Sequence, residues 1–342
     1  MPKLPPEILL HVISLLDPKS LDTVMGVSRF FADEAERFLY RSISMCSTDG
    51  RHERIRAALA KKPQRATYVK TLEITMDTPE TFTSELVLTT FVNIRSLSII
   101  PSSNDRSTSA LVSLTQCTFP YLTHFRSTWS LNDLSFRTFL KAHSSLKSLE
   151  LGKSFSTFTL PTSFPPSLIP KLEVLDGHWS NVVRLVKGRP VTRVAIRSAN
   201  MASYVPYHRL ERILPIIASG SDSAYGVQRL AVHVKEIIAA VVRLIAHELP
   251  ALAALELVDC SYSDEEGYDI ASLLAKMDGI GEAMRGFKAL REFHISGVMI
   301  PGRSESVSGV IAENLGKSVS ELERVMVNTD AWVRRDDVWV QY

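Results

Sequence analysis

The chain has 342 residues, and 45% of them are hydrophobic, which is enough for a sizeable core. It carries 39 Lys and Arg residues against 37 Asp and Glu residues, so no excess of positive charge is available to bind nucleic acid or an anionic membrane surface. Its three cysteines are odd in number and far apart, which argues against a disulfide framework and indicates a reducing compartment. No apolar run is long enough to span a membrane. We therefore expect a soluble globular protein of the cytoplasm or nucleus, built as two or three domains or as one elongated array.

The first forty or so residues predict three short helices. Pro5 suits the first turn of a helix, where a missing N–H costs nothing, and Asp17-Pro18 ends that helix and can cap the next one. On a helical wheel, the apolar residues between Ile8 and Leu16 form an arc roughly twice the ~100° stripe that one packing contact requires. A segment this short can hardly hold a core of its own. We therefore expect the first helix to bury one side within its own domain and to offer the other side to a second protein.

The order of motifs in this segment resembles an F-box. That family begins with Leu-Pro-x-Glu-Ile, continues with an apolar pair followed by Asp-Pro, and reaches Val-Ser-Arg ahead of an aromatic residue. Many F-boxes carry a Trp near the last of these motifs, whereas a Phe pair is common in the short F-boxes of fungal families. The matching residues here are Leu4-Pro5-Pro6-Glu7-Ile8, Leu15-Leu16-Asp17-Pro18, Leu21, Val27-Ser28-Arg29 and Phe30-Phe31.

The F-box resemblance implies docking onto the Skp adaptor of a cullin-RING ubiquitin ligase, with the chain acting as a substrate receptor and as a monomer within that hetero-complex. An alternative explanation of the same helices is that they only cap the apolar end of the domain that follows, as stacked repeats require. The positions that the resemblance assigns to the adaptor-facing surface or its close support are Leu4, Pro5, Ile8, Ile13, Leu16, Leu21, Val27 and Phe31.

A second pattern begins after residue 66, beyond a basic helix predicted over Arg51 to Lys62. The spacing apolar-x-x-apolar-x-apolar occurs in ten copies, eight of them complete, and the first five copies are 25, 28, 24 and 26 residues apart. Three copies are each preceded by a proline, two residues before the first apolar position. The copies begin at Val69, Ile94, Leu122, Leu146, Leu172, Val191, Val227, Leu252, Leu290 and Leu322.

These copies resemble leucine-rich repeats, whose period is roughly 20 to 29 residues. The resemblance implies an α/β fold, a curved solenoid with short parallel strands on its concave face and helices or loops outside. The chain would then comprise an F-box at residues 1–45, a connector helix at 46–66 and about ten irregular repeats at 67–342. Ser127 and Gly177 occupy slots that should be apolar, so we expect those two turns to lack regular strand pairing.

The third, fifth and seventh places of each copy should project into the hollow of the solenoid, because alternate strand residues point to opposite faces. The side chains there are mixed in charge, which suits an unknown protein target recognised by charge complementarity and aromatic anchors. Glu73, His124, Arg193, Arg229, Glu292 and Arg324 are among them. The residues that we predict to contact the target, including two Trp residues just beyond strand ends, are Arg126, Trp129, Glu150, Asp176, Trp179, Arg197, His233, Glu256 and His294.

No motif in the sequence predicts catalysis. The nine histidines show no metal-binding spacing, and no nucleophile elbow, P-loop or dinucleotide-binding glycine motif occurs. We expect no catalytic residue, no metal and no cofactor. The sequence leaves open a substrate receptor of a Skp–cullin–F-box ubiquitin ligase and, as an alternative, a leucine-rich-repeat scaffold that binds a protein partner without a ligase role. An enzyme with an unrecognised site on the concave face is a third, weaker hypothesis.

Overall fold

A computed structural model shows two compact units, Met1–Leu146 and Lys147–Tyr342. The domain boundaries predicted at residues 45 and 66 follow sequence motifs and stay a prediction. The residues that the structure describes are 5–46, 50–76, 88–101, 114, 117–128, 133–152, 164–197, 204–260, 269–298 and 305–342.

The first unit begins with the three predicted helices, α1 (Pro6–Ser14), α2 (Pro18–Met25) and α3 (Arg29–Leu39). The Asp17 carboxylate caps α2 by accepting hydrogen bonds from the backbone N–H groups of Lys19 and Ser20, at 2.9 and 3.0 Å. Ser28 caps α3 in the same way. The small core between the helices is formed by Ile13, Leu21 and Ala35.

The rest of the first unit is a parallel sheet with its helices. Strand β1 precedes the first predicted repeat, and the sequence analysis did not predict it. Tyr40, Ile43 and Met45 nevertheless show the apolar spacing of the repeats. Ser127 pairs with Ile99, so the irregular pairing expected at that slot is wrong. The elements are β1 (Ser42–Cys46), α4 (Arg51–Lys61), a 3₁₀ helix (Pro63–Tyr68), β2 (Thr71–Met76), a 3₁₀ turn (Leu88–Thr90), β3 (Ser96–Pro101), β4 (His124–Ser127) and α5 (Asp133–Ala142).

Helix α3 is fastened to the segment after α4 by a buried carboxylate. Glu36 is 5% exposed and accepts hydrogen bonds from Arg65, including one from Nε at 2.8 Å, and from Lys62 Nζ at 3.2 Å. Arg65 also donates to the Ala58 carbonyl and stacks over the Tyr40 ring. Burial alone would raise the pKa of Glu36, but its hydrogen bonds with Arg65 and Lys62 and their charges outweigh burial, and the net effect is a lowered pKa.

The second unit repeats strand and helix. Strands β5 to β11 run parallel, and two antiparallel strands, β12 and β13, follow. The strands are β5 (Ser148–Leu151), β6 (Val174–His178), β7 (Arg193–Arg197), β8 (Arg229–Val234), β9 (Ala254–Asp259), β10 (Glu292–Ser296), β11 (Arg324–Val327), β12 (Asp330–Arg335) and β13 (Val338–Gln341). The helices are a 3₁₀ turn (Pro166–Leu168), α6 (Trp179–Leu185), α7 (Tyr207–Gly220), α8 (Ala239–Glu248), α9 (Ile270–Met284) and α10 (Glu305–Ser318).

The strand register aligns the apolar slots of successive copies. The first aligned row is at most 3% exposed, and its members are Leu149, Leu175, Val194, Leu230, Leu255, Phe293 and Val325. In the next row Gly177 pairs regularly with Leu151, so the irregular pairing expected there is also wrong. A Cβ at Gly177 would lie 3.0 Å from the Leu151 carbonyl oxygen, which explains why the slot holds no larger side chain.

The hairpin of β12 and β13 closes the second unit. Its two tryptophans pack on glycines of α10: a Cβ added to Gly309 would lie 2.9 Å from the Trp332 ring, and Trp339 covers Gly316 in the same manner. The sequence analysis did not predict this hairpin. Terminal repeats need such a cap, because the last strand would otherwise leave its backbone and its apolar row uncovered.

The aligned row predicts the cost of a core substitution. Leu255→Ala removes a side chain that is 1% exposed, and we expect the free energy of unfolding to fall by about 2 to 5 kcal/mol. The neighbouring Glu256→Gln, on the opposite face, should change it by less than about 0.5 kcal/mol. Urea denaturation of both variants tests this, and equal small effects would refute the assigned register.

The Glu36 contact predicts a pH-dependent stability difference. Glu36→Gln removes the buried counter-charge of the partly exposed Arg65 and should cost about 3 kcal/mol at pH 7. Because the folded-state pKa is lowered, the carboxylate stabilises the fold above its unfolded pKa of ~4.3, and this contribution is lost as the pH falls through the folded pKa. The difference between the two proteins in urea denaturation should therefore shrink as the pH is lowered below the unfolded pKa of ~4.3.

The control for this prediction is Glu34→Gln. Glu34 pairs with an exposed arginine, Arg37, so its loss should cost no more than about 0.5 kcal/mol. If the difference between wild type and Glu36→Gln were constant from neutral to acid pH, the stabilising role assigned to the Glu36 charge would be wrong.

Candidate functional site

The first candidate surface is an apolar face on the N-terminal helices. Ile8 and Val12 of α1 and Leu15, which directly follows its last residue, recur at helical spacing, and they are 49%, 48% and 73% exposed. Ile13, about 120° away around the same helix, is 1% exposed in the core. Helix α1 therefore buries one side and presents an apolar face on another, as its helical wheel predicts.

Two further apolar side chains are exposed in the helical segment beyond α1. Val27, in the turn before α3, is 67% exposed, and Phe30, in the first turn of α3, is 43% exposed. An exposed side chain of this kind is ordinary when it occurs alone, but several of them on one small helical segment mark an interaction surface.

The predicted adaptor residues divide by burial. Ile13 and Leu21 lie in the helical core, which fits the supporting role that the resemblance allows, and a contact of either residue with the adaptor stays a prediction. Leu4 lies outside the described residues. Pro5, Ile8 and Val27 are exposed, whereas Leu16 and Phe31 pack partly buried against the core.

Three exposed residues were absent from the predicted set. They are Val12, Leu15 and Phe30. The first two follow from the helical wheel, because they share a face with Ile8 and lie opposite the buried side. Leu15 and Phe30 also belong to the matching motifs, but the resemblance assigned neither of them to the adaptor-facing surface.

The second candidate surface is a hollow of about 360 Å³ on the polar face of strands β6 to β10. Its floor is formed by Ala195 of β7 and Ala231 of β8, which are partners in the strand register. An alanine side chain ends at Cβ, so the longer side chains on neighbouring positions surround an open space. The fifth place of two successive repeats is small, and this creates the hollow.

Basic residues precede and follow the two alanines on their own strands. Arg193 and Arg229 are register partners on one side of the floor. Arg197 and His233 come two residues after the alanines, on the other side, because alternate residues share a face. The strands read Arg-Val-Ala-Ile-Arg and Arg-Leu-Ala-Val-His in the sequence.

Acidic residues occupy the flanking strands. Asp176 is the register partner of Ala195 and forms an ion pair with Arg197. Glu256 is the register partner of Ala231. The floor therefore has an acidic residue at each end along the row and basic residues above and below.

Beyond this row, Glu292 lies 3.5 Å from both Arg229 and Arg324, so one carboxylate is shared by two arginines. His294 is the register partner of Glu256. Burial lowers the pKa of His294, and Arg324 and Arg229 act in the same direction against the opposing charges of Glu256 and Glu292. The imidazole is therefore neutral near pH 7.

Trp179 is the first residue of α6 and directly follows β6. Its ring lies between the His178 ring, 5.2 Å away, and the Arg209 guanidinium, 4.7 Å away. Burial and the Arg209 charge lower the pKa of His178, whose Nδ1 accepts a hydrogen bond from Ser180. The contacts hold Trp179 at the end of a strand that lines the hollow.

The structure brings some predicted target residues together and separates others. Glu150 is the register partner of Asp176. Arg126 belongs to β4 of the first unit, and Trp129 lies outside the described residues. Ala195 and Ala231 were missed, although two small residues at the fifth place of successive copies could have revealed them. The predicted residues that line the hollow are Asp176, Arg197, His233, Glu256 and His294.

This arrangement offers charges and hydrogen bonds to a partner. Across the described ranges, no three His, Cys, Asp or Glu side chains come close enough to hold a metal ion. In the same part of the chain, no helix combines the length and the apolar character that crossing a membrane takes.

Comparisons with known proteins agree with the N-terminal motif. A family model described as F-box-like matches residues 1–46. No curated protein matches the chain. Among solved structures, the leucine-rich repeat-containing protein LegL7 from Legionella pneumophila aligns with 87% of this chain and 92% of its own, at 14% identity and a TM-score of 0.46.

That TM-score is too low to support an inference, and the repeat fold rests on the aligned strands and intervening helices of the chain itself. The assignment to a fungal type of F-box stays a prediction. F-box and leucine-rich-repeat families typically serve as non-enzymatic interaction modules. Residues 1–46 are thus an F-box-like domain, and a leucine-rich-repeat-like array of strands and helices follows it.

Proposed function

We propose that the chain is the substrate-recognition subunit of a Skp–cullin–F-box ubiquitin ligase. The observation that carries this proposal is the exposed apolar face of α1 within a segment that matches the F-box-like model. F-box domains generally bind the Skp adaptor of cullin-RING ligases. In this role the chain is a monomer within the hetero-complex, in the cytoplasm or nucleus.

Burial of the α1 face supplies a driving force for adaptor binding. Covering a Val, Leu or Ile side chain is worth about 1.5 to 3 kcal/mol when it is fully removed from water. Ile8, Val12 and Leu15 are all at least 48% exposed, so a substantial part of that free energy is available to a partner. The adjoining core residue Ile13 holds α1 in place.

The repeat array supplies the target-binding surface. Charged residues around the hollow of β6 to β10 are arranged in fixed register, which suits charge complementarity with a protein target. The chain itself performs no chemistry in this proposal. It accelerates ubiquitin transfer by holding the target close to the charged conjugating enzyme, which is a proximity effect.

Charge substitution on α1 tests the adaptor role. Val12→Glu combined with Leu15→Glu places two carboxylates in the proposed interface, and we expect adaptor binding to weaken by at least about 3 kcal/mol. Both side chains are exposed, so the melting temperature of the free chain should change little. Biolayer interferometry of the full chain with the purified Skp adaptor measures the affinity.

The matched control is Ile216→Glu on α7, a residue that is 42% exposed. This variant introduces one carboxylate at an apolar surface position of the repeat array and should bind the adaptor normally. Unchanged affinity of the α1 variant would refute the assigned surface. If the wild-type chain did not bind the adaptor at all, the ligase role would fail and the scaffold alternative would remain.

Charge reversal on the strand face tests the target-binding role. Glu150→Lys with Asp176→Lys reverses two adjacent carboxylates of β5 and β6. We expect this variant to lose its protein targets in affinity purification while it retains the adaptor. Quantitative mass spectrometry of the recovered proteins provides both measurements.

The control variant carries Glu211→Lys and Glu282→Lys, which reverse exposed charges on helices α7 and α9. It should recover the same targets as the wild-type chain. Crosslinks from captured targets should fall on the strand face. Crosslinks confined to α8 or α10 would move the recognition site to the helices and contradict the proposal.

A further inference from the structure

We propose that the hollow binds an extended target segment carrying one acidic and one basic side chain, with the acidic group on Arg193 and the basic group on Glu256. This inference rests on the proposed target-binding role of the same surface and names the chemistry that the surface recognises. It follows from the distribution of ion pairs around the two-alanine floor.

Most charged side chains around the hollow already have a counter-charge. Arg197 pairs with Asp176, and Glu292 is shared by Arg229 and Arg324. The Asp176–Arg197 pair is balanced, whereas Glu292 balances only one of its two arginines, so that cluster keeps one positive charge. A ligand that used any of these side chains would compete with the existing partner. The ion pairs also make the rim of the hollow a fixed pattern rather than a set of independent flexible side chains.

Arg193 and Glu256 differ from these residues. Both line the hollow and both are exposed, and within the described part of the chain neither of them takes part in an ion pair. His294 lies beside Glu256, but burial lowers the pKa of His294, so the neutral ring does not neutralise the Glu256 carboxylate near pH 7. Arg193 and Glu256 are thus the two charged side chains lining the hollow that form no ion pair with a described residue.

The register fixes how far apart these two charges are. Arg193 is on β7 and Glu256 is on β9, with the Ala231 strand between them. Neighbouring strands are about 4.8 Å apart and residues rise about 3.3 Å along a strand, so the two Cα atoms are roughly 12 Å apart. The long Arg and Glu side chains shorten or lengthen this span. An extended segment meets both charges with side chains about two to four residues apart.

The floor determines what lies between those two side chains. Ala195 and Ala231 leave room for a peptide backbone and a small or apolar side chain above the sheet. Arg193 has the register neighbour Arg229, and two like charges opposite each other on adjacent strands disfavour one another. A carboxylate or phosphate bound at Arg193 relieves that repulsion, because the planar guanidinium binds such groups in a bidentate manner.

Peptide selection with the full chain tests the inference. The probe is a display library of random nonapeptides, panned at physiological salt on wild-type protein and on each variant. Wild type should enrich peptides with one acidic and one basic residue two to four positions apart, about fivefold over the starting library, which is the upper range for an exposed ion pair.

Charge-reversal variants make the test specific. Arg193→Glu should enrich peptides with two basic residues at that spacing, and Glu256→Arg should enrich peptides with two acidic residues. Ala195→Trp, which fills the floor without entering the core, should abolish enrichment of every such pair. Arg243→Glu on the exposed side of α8 is the matched control and should select the wild-type pattern.

The inference would be wrong if the charge-reversal variants enriched the same peptides as wild type. It would also be wrong if wild type enriched peptides without the paired charges, or enriched no peptide. If Ala195→Trp still enriched peptides with the paired charges, the inference would also be wrong. In that case the peptides would be held by general charge attraction, which does not need the space above the alanines. The panning uses no adaptor. A chain that fails to bind the adaptor can therefore still select its peptides, and the two proposals fail separately.

Discussion

The fold depends on one constraint, which is the in-register stacking of apolar slots on successive parallel strands. Each strand–helix unit has an apolar row that it cannot cover alone, and its neighbours cover it. The row from Leu149 to Val325 is almost completely buried for this reason. Because strand side chains alternate between faces, the same register also aligns the polar residues on the opposite face. The hollow therefore results from the same register that packs the core. Substitutions at single positions on the polar face can change its shape.

The N-terminal helices also depend on contacts with neighbouring segments, but these contacts are polar. Their core of Ile13, Leu21 and Ala35 is small, so they require further contacts to stay folded. The buried Glu36 provides one through Arg65 and Lys62. With α3 anchored in this manner, α1 keeps its fold while it leaves several apolar side chains in water.

Stability and recognition are separated at the level of single residues. In the strand Arg193–Arg197, the second and fourth residues are buried in the core and the other three face the hollow. Changes at the hollow-facing residues alter charge and volume without disturbing the core. The alanines at positions 195 and 231 illustrate this: their small size costs the fold little and creates the space of the hollow.

The sequence by itself determined the helical caps, the apolar periodicity and most of the hollow-facing residues. These features depend on local spacing, because the spacing of residues along a helix or strand fixes the face on which each side chain lies. The sequence also identified the F-box-like segment through ordered motifs. Only the tertiary structure decided that Ile13 and Leu21 are core, because the wheel shows which side chains share a face and not which face is covered. The tertiary structure also decided which arginines and carboxylates of the hollow form ion pairs. These pairs join residues of different strands that are distant in sequence. The regular pairing at Ser127 and Gly177 followed from the backbone hydrogen bonds of the sheet, which a single unfavourable side chain does not break.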